Sequence, residues 1–212
     1  MPESSMKAPQ ETLLKAVASR LSEHDFKAKI RDQSFLKLIE HGRVSLHLSF
    51  LERGDEFDVT ADVAIRFDAL EDLVNSDNKA LSRAEKADTY TLGAELGNLR
   101  DRRQKAWEIR KLSQVEQVAS GIYETYLQVA KPYIEKYSKM DAALEVLSRD
   151  DQEAWIHCPF HDARAQRAVG LAKLIGMPDS DLQALTAQKE QFLTARNDHG
   201  LGEFKLFTDK IA

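Results

Sequence analysis

The spacing of apolar residues changes twice along this chain, and each change predicts a different kind of element. From about Pro9 to Glu23, Leu13, Leu14, Val17, Ala18 and Leu21 recur every three or four positions. That spacing lines one face of a helix, with Lys15, Ser19 and Ser22 on the polar back and Pro9 suited to the first turn. Further on the period becomes two. Val44, Leu46, Leu48 and Phe50 alternate with Ser45, His47 and Ser49. After Leu51-Glu52-Arg53-Gly54-Asp55-Glu56, Phe57, Val59, Ala61, Val63, Ile65 and Phe67 alternate with Asp58, Thr60, Asp62 and Arg66. Such alternation belongs to strands with one buried face, and two runs joined by a short Gly-containing turn predict an antiparallel hairpin. In that register Leu48 points inward while His47 and Ser49 point outward. Further strands are expected at Phe35–Ile39, turning at His41-Gly42, and, shorter, at Phe26–Ile30. Another is expected from Thr89 to Leu96, weakened by Gly93 and Gly97. Between the hairpin and that strand, Leu70, Leu73 and Val74 give one or two helical turns, and Asn75-Ser76-Asp77-Asn78-Lys79 reads as a loop.

From Ser113 the period is helical. Ser113-Gln114-Val115-Glu116 reads as a capping box ahead of a stripe of Val115, Val118, Ala119, Ile122, Tyr126 and Val129. Pro132 ends or kinks that helix, because proline lacks the N–H and clashes with the turn before it. Further helices are expected to start near Ser138, to run from about Asp162 to Ile175 before Gly176 and Pro178, and to start at a capping box of Ser180-Asp181-Leu182-Gln183. A short last helix carries Phe204 and Phe207. Strands thus precede helices. The predicted fold class is α+β: an antiparallel sheet in the N-terminal half, preceded by a helix, packed with a helical C-terminal half. The expected parts are residues 1–112, helix plus sheet, and 113–212, helical, with a soft boundary at Arg110–Ser113 and both parts in one compact domain.

Composition narrows the function classes. The chain has 212 residues, 30 basic against 35 acidic side chains and a net charge of -5. That balance disfavours a strongly basic nucleic-acid binder, and the apolar share is too large for a disordered chain. The single cysteine, Cys158, rules out an intramolecular disulfide and any multi-cysteine zinc module. No apolar run approaches membrane-spanning length, and Met1 to Lys7 lacks the pattern of a secretory leader, so a cytoplasmic protein is expected.

Certain segments taken together resemble a known family. A leading amphipathic helix precedes Phe26, Lys29 and Ser34-Phe35. Then come Leu92-Gly93-Ala94-Glu95-Leu96-Gly97-Asn98-Leu99, Trp107, and Lys131-Pro132-Tyr133-Ile134-Glu135-Lys136. Over about residues 10 to 150 this is similar to a bacterial family known only as a domain of unknown function, although Leu92-Gly93-Ala94 stands where that family is more polar. The resemblance implies a strand-rich half leading, through an aromatic-marked segment, into a helix ending in Pro-aromatic-Leu/Ile-Glu. It implies no activity, cofactor or catalytic residue.

Three constellations are candidates for chemistry. In His157-Cys158-Pro159-Phe160-His161-Asp162, two imidazoles and a carboxylate are competent zinc ligands, and Cys158 with His161 has the makings of a nucleophile and base. Pro159 interrupts the helical register that would align the imidazoles, so the expected role is structural, with Asp162 favouring the positive end of the following helix. On the polar face of the hairpin, His47, Asp58 and Asp62, with Thr60 between the carboxylates, suit a divalent cation or acid–base work; the plainer reading is a solvated sheet face. Around Trp107, the cations Arg100, Arg102, Arg103, Lys105, Arg110 and Lys111 suit a phosphate backbone or an acidic protein, or form a solvated linker that Trp107 anchors. Phosphate-loop, dinucleotide, His-Glu-x-x-His and nucleophile-elbow motifs are absent. The expected function is a non-enzymatic binding protein, immunity-like or regulatory, with no cofactor and with another protein as partner. The alternatives are a small metal-assisted hydrolase or nuclease and a structural oligomer joined through the helical half.

Overall fold

The structure, a computed structural model, describes residues 8–54 and 56–211. Met1 to Lys7, read above for a leader, and the turn residue Asp55 lie outside the described residues. In chain order the elements are α1 (Ala8–Leu21), β1 (Lys27–Lys29), β2 (Ser34–Ile39), β3 (Gly42–Arg53), β4 (Glu56–Phe67), α2 (Asp68–Asn75), α3 (Arg83–Ala87), β5 (Leu92–Glu95), α4 (Leu96–Asp101) and β6 (Trp107–Ile109). Then follow α5 (Val115–Thr125), a π-helical turn (Tyr126–Ala130), α6 (Lys131–Tyr137), α7 (Met140–Ser148), α8 (Gln152–His157), α9 (His161–Leu174), α10 (Asp179–Ala195) and α11 (Leu201–Ile211). An N-terminal helix, an antiparallel sheet and a helical C-terminal half make this an α+β fold. The strand order is β1-β2-β3-β4-β5, and β6 also pairs with β4.

The chain forms two compact units, one of residues 1–64 and 94–135, the other of residues 65–93 and 136–212. The boundaries fall inside β4, β5 and α6, whereas the expected boundary at Arg110–Ser113 falls inside the first unit.

In the first unit the period-two pattern sets the register. Phe35 lies opposite Leu46 and Ser34 opposite His47, while Val59 lies opposite Trp107. Val44, Leu46, Leu48, Phe57, Val59 and Val63 are buried and Phe50 is half-buried; His47 is half-buried and Ser49 exposed. Each such side chain taken from water contributes roughly 1.5–3 kcal/mol, which is what penalises a one-residue slip. Helix α1 packs its Leu13, Leu14, Val17 and Leu21 inward and lies along α5. Arg20 ties the two, donating to Glu116 at 2.9 Å and Ser120 at 3.2 Å.

Two helix starts in this unit differ from expectation. Ser113 does not cap α5; it sits inside a 3-10 turn, Leu112–Gln114. The Gln114 side chain folds back to accept from the amides of Arg110 and Lys111, at 2.8 and 2.9 Å, and Glu116 is drawn to Arg20 instead. The strand expected at Thr89–Leu96 shortens to Leu92–Glu95. The Glu95 carboxylate accepts from the amides of Gly97, Asn98 and Lys105, which starts α4 at Leu96. Gly97 is required there: a Cβ would lie 2.3 Å from the Arg103 carbonyl oxygen. Helical structure runs on across Pro132, through a widened turn. The Lys131 N–H reaches back five residues to the Tyr126 carbonyl just before the ring that would clash.

The second unit is organised by α9. Ala165, Ala168, Val169, Gly170, Leu171 and Ala172 are all buried, so this helix is surrounded and packs against α2, α7, α10 and α11. A Cβ on Gly170 would come within 2.9 Å of Leu70 and 3.2 Å of Phe207. The helix ends as its sequence predicts. Gly176 takes φ +76, its N–H bonds to the Lys173 carbonyl, and Met177 N–H bonds to the Ala172 carbonyl. The expected cap at Ser180 is not formed. Helix α10 starts at Asp179, after Pro178, and Ser180 lies in its first turn. The reciprocal capping box belongs instead to Ser82 and Glu85, at the start of α3, a helix not anticipated. Helix α8 was also not anticipated; Asp151 caps it by accepting from Ala154 N–H at 3.1 Å.

Candidate functional site

The arginines in the middle of α9 need internal partners, because the helix is buried there on most sides. Arg167 meets Glu71 of α2 in a two-pronged pair at 2.8 and 3.0 Å. Glu71 is fully buried and also accepts from Thr91 Oγ1 and Asn75 Nδ2. Burial pushes its carboxyl up, but the Arg167 charge and the donors around it hold it below the ordinary value. Arg164, 1% exposed, donates Nη1 to the Cys158 carbonyl at 2.7 Å and Nη2 to His161 Nδ1 at 3.0 Å, while its Nε has no partner. Its nearest carboxylate, Asp150 at 3.9 Å, is taken by the buried Lys189 Nζ at 2.7 Å. Burial lowers the pKa of both Arg164 and Lys189, against the pull of Asp150.

The segment from His157 to Asp162 is therefore the turn between α8 and α9, and its residues divide among separate neighbours. His157 closes α8, buried against the Tyr137 ring at 5.1 Å, with Nε2 3.6 Å from Glu153. His161 opens α9, edge-on to Phe192 at 5.2 Å and bonded to Arg164. Asp162, in the first turn of α9, packs against Gly200, where a Cβ would lie 2.3 Å away. The Cys158 thiol is buried, and burial raises its pKa against the opposing charges of Arg167 and Arg164. A thiol so placed is a poor nucleophile. Among the described residues, no three His, Cys, Asp or Glu side chains gather closely enough to hold a metal ion. What this corner does present is apolar: Trp155 is 52% exposed and Phe160 72%.

On the hairpin's polar face the expected set splits. Asp58 is buried and paired with Arg53 at 2.9 Å. Asp62 is half-buried; burial raises its carboxyl pKa, and the charge of His47 pulls against that. His47 Nδ1 lies 3.3 Å from Ser49 Oγ. His47 thus acts on Asp62, whereas Asp58 is paired with Arg53.

The basic segment is partly neutralised. Arg100 pairs with Asp101 at 2.8 Å, and Arg110 with Glu56 and Glu108. Lys105 lies over the Trp107 ring, 4.7 Å from its centre, and donates to Thr125. Trp107 is itself half-buried, its Nε1 3.0 Å from where a Cβ on Gly121 would stand. Arg102, Arg103 and Lys111 are exposed.

No family model matches the chain. No curated protein and no solved structure matches it either. The likeness noted from the sequence thus stands on sequence alone, and the site rests on its own geometry.

Sequence reading missed the buried ions Arg66, Glu71, Arg164 and Lys189 and the half-buried Arg167. One trace of them was present: Arg164 and Arg167, three apart, interrupt a run of small apolar residues that covers a whole helical circumference.

Proposed function

We propose that this is a non-enzymatic binding protein that engages another protein through the α8–α9 corner. The observation that carries the reading is the exposure of Trp155 and Phe160 within five positions of each other, at 52% and 72%. Large aromatic side chains left in water are enriched in binding hot spots. The neighbouring titratable groups support the same reading, since Glu71, Asp150, Arg167 and Lys189 are committed to bonds within the unit. No helix among the described residues is long and apolar enough to cross a membrane. A cytoplasmic setting belongs to the proposal, supported by the lone, buried Cys158.

The test compares the wild type with a Trp155→Ala/Phe160→Ala variant in capture from cell extract after cross-linking. The reading expects a discrete partner that the wild type retains and the variant loses, with unchanged circular dichroism. Equal capture by both proteins would contradict it. Stoichiometric zinc or manganese in the purified protein would instead favour metal-assisted hydrolysis.

A further inference from the structure

The turn joining α8 to α9 is held by one buried guanidinium. Arg164 Nη1 binds the Cys158 carbonyl at 2.7 Å, and Nη2 binds His161 Nδ1 at 3.0 Å. The first bond ties the start of the turn to α9; the second runs between two residues of α9 and fixes the guanidinium that makes the first. The second bond requires an imidazole whose Nδ1 carries no proton, because Arg donates and never accepts. A doubly protonated imidazole has no acceptor left, and it would set a second positive charge against Arg164. We propose that this corner is an acid-sensitive latch: neutral His161 closes it on Arg164, and protonation of His161 releases the turn that carries Phe160.

The groups facing His161 pull both ways, and those favouring the neutral form prevail. From α9 these are Arg164 and the adjacent Asp162; from α10, the Phe192 ring and Arg196, whose guanidinium lies 4.4 Å from that ring's centre. From the segment after α10 comes Asp198, whose carboxylate accepts from Gly200 N–H at 2.9 Å, with His199 lining the same depression. From the segment before α8 comes Asp150, already held by Lys189 and by Gln188. Burial first, then Arg164 and Arg196, hold the His161 pKa below its ordinary 6.5, with Asp198 and Asp150 opposing. A depressed folded pKa means that the unfolded turn takes the proton first. The stabilisation is therefore present above about pH 6.5 and is lost as pH falls through the lower folded value. Once His161 lets go, Nη2 is left 3.9 Å from Asp150, whose carboxylate Lys189 already holds.

The latch rests on the binding reading only for its consequence, which is control of the surface bearing Phe160; the opening itself is measured without a partner. Amide hydrogen exchange across 158–164, corrected for intrinsic rates, is followed from pH 7.5 to 5.0 in the wild type, His161→Gln and His199→Gln. The glutamine at 161 keeps an acceptor and cannot titrate. Exchange should rise severalfold on acidification in the wild type and in His199→Gln, and stay flat in His161→Gln. Flat exchange in the wild type, or an equal rise in His161→Gln, would overturn the latch and leave the binding reading standing. Should His161→Gln fail to fold, the nitrogen-15 shifts of wild-type His161 decide. A proton on Nε2 and none on Nδ1 at pH 7.5 is expected, and an Nδ1–H tautomer contradicts the proposal.

Discussion

At the scale of single residues, the second unit depends most on ions that the surface never sees. Arg167→Ala would leave Glu71 charged and buried without its counter-ion, and urea unfolding should register a loss of about 3–5 kcal/mol. Glu71 also sets an acid limit. Its folded pKa is depressed, so its contribution is present above the ordinary 4.5 and disappears as pH falls through the folded value. The same unfolding experiment repeated towards pH 3 should find the wild type converging on Arg167→Ala. Cys158 offers a second check. Its thiol is buried and its pKa raised, so a thiol-specific reagent should label it only as fast as the unit opens, and labelling should accelerate with urea. Immediate stoichiometric labelling of the native protein would contradict this placement. The Glu71–Arg167 pair was not legible in the sequence, because a charged residue spaced for a helix reads as a solvated face. Only the partner, ninety-six positions away for Glu71 and Arg167, reveals otherwise.

At the scale of elements, legibility followed the strength of the period. The hairpin was readable because apolar side chains recur at alternate positions of β3 and β4, although Ser45, Asp58 and Arg66 between them are buried as well. Leu48 is fully buried, and Leu48→Ala should cost about 2–5 kcal/mol through lost transfer energy and a residual cavity. Caps were less readable, because a Ser-x-x-Glu string specifies the bond only if the backbone ahead of it is extended. Ser82 has that backbone, with ψ of 165°, and forms the box; Ser113 lies within a 3-10 turn and does not. Ser82→Ala should therefore cost about 0.5–2 kcal/mol in thermal unfolding. Ser113→Ala should stay within about 0.5 kcal/mol of the wild type. The reverse ranking would contradict the assigned helix starts. Helices α4 and α8 escaped notice because six residues carry too little periodicity; each is set by one carboxylate, Glu95 or Asp151, accepting from the first-turn amides.

At the scale of the molecule, the order of strands then helices was plain from periodicity, whereas the division into two units was not. The unit boundaries cut through β4, β5 and α6, where hydrophobic spacing continues without a break. The candidate site was legible in part. The segment from His157 to Asp162 stood out by residue type, and the structure puts it at a corner where the imidazoles serve separate neighbours and the aromatics face water. The central claim is that this corner receives a protein partner, and a photo-cross-linking residue in place of Phe160 tests it most directly. The control is the same residue in place of Leu38, which is 79% exposed in the first unit. A discrete adduct from position 160 in cells, absent from position 38 and lost when Trp155 is also changed to Ala, is the predicted result. No adduct at 160, or the same adducts from both positions, would contradict the claim.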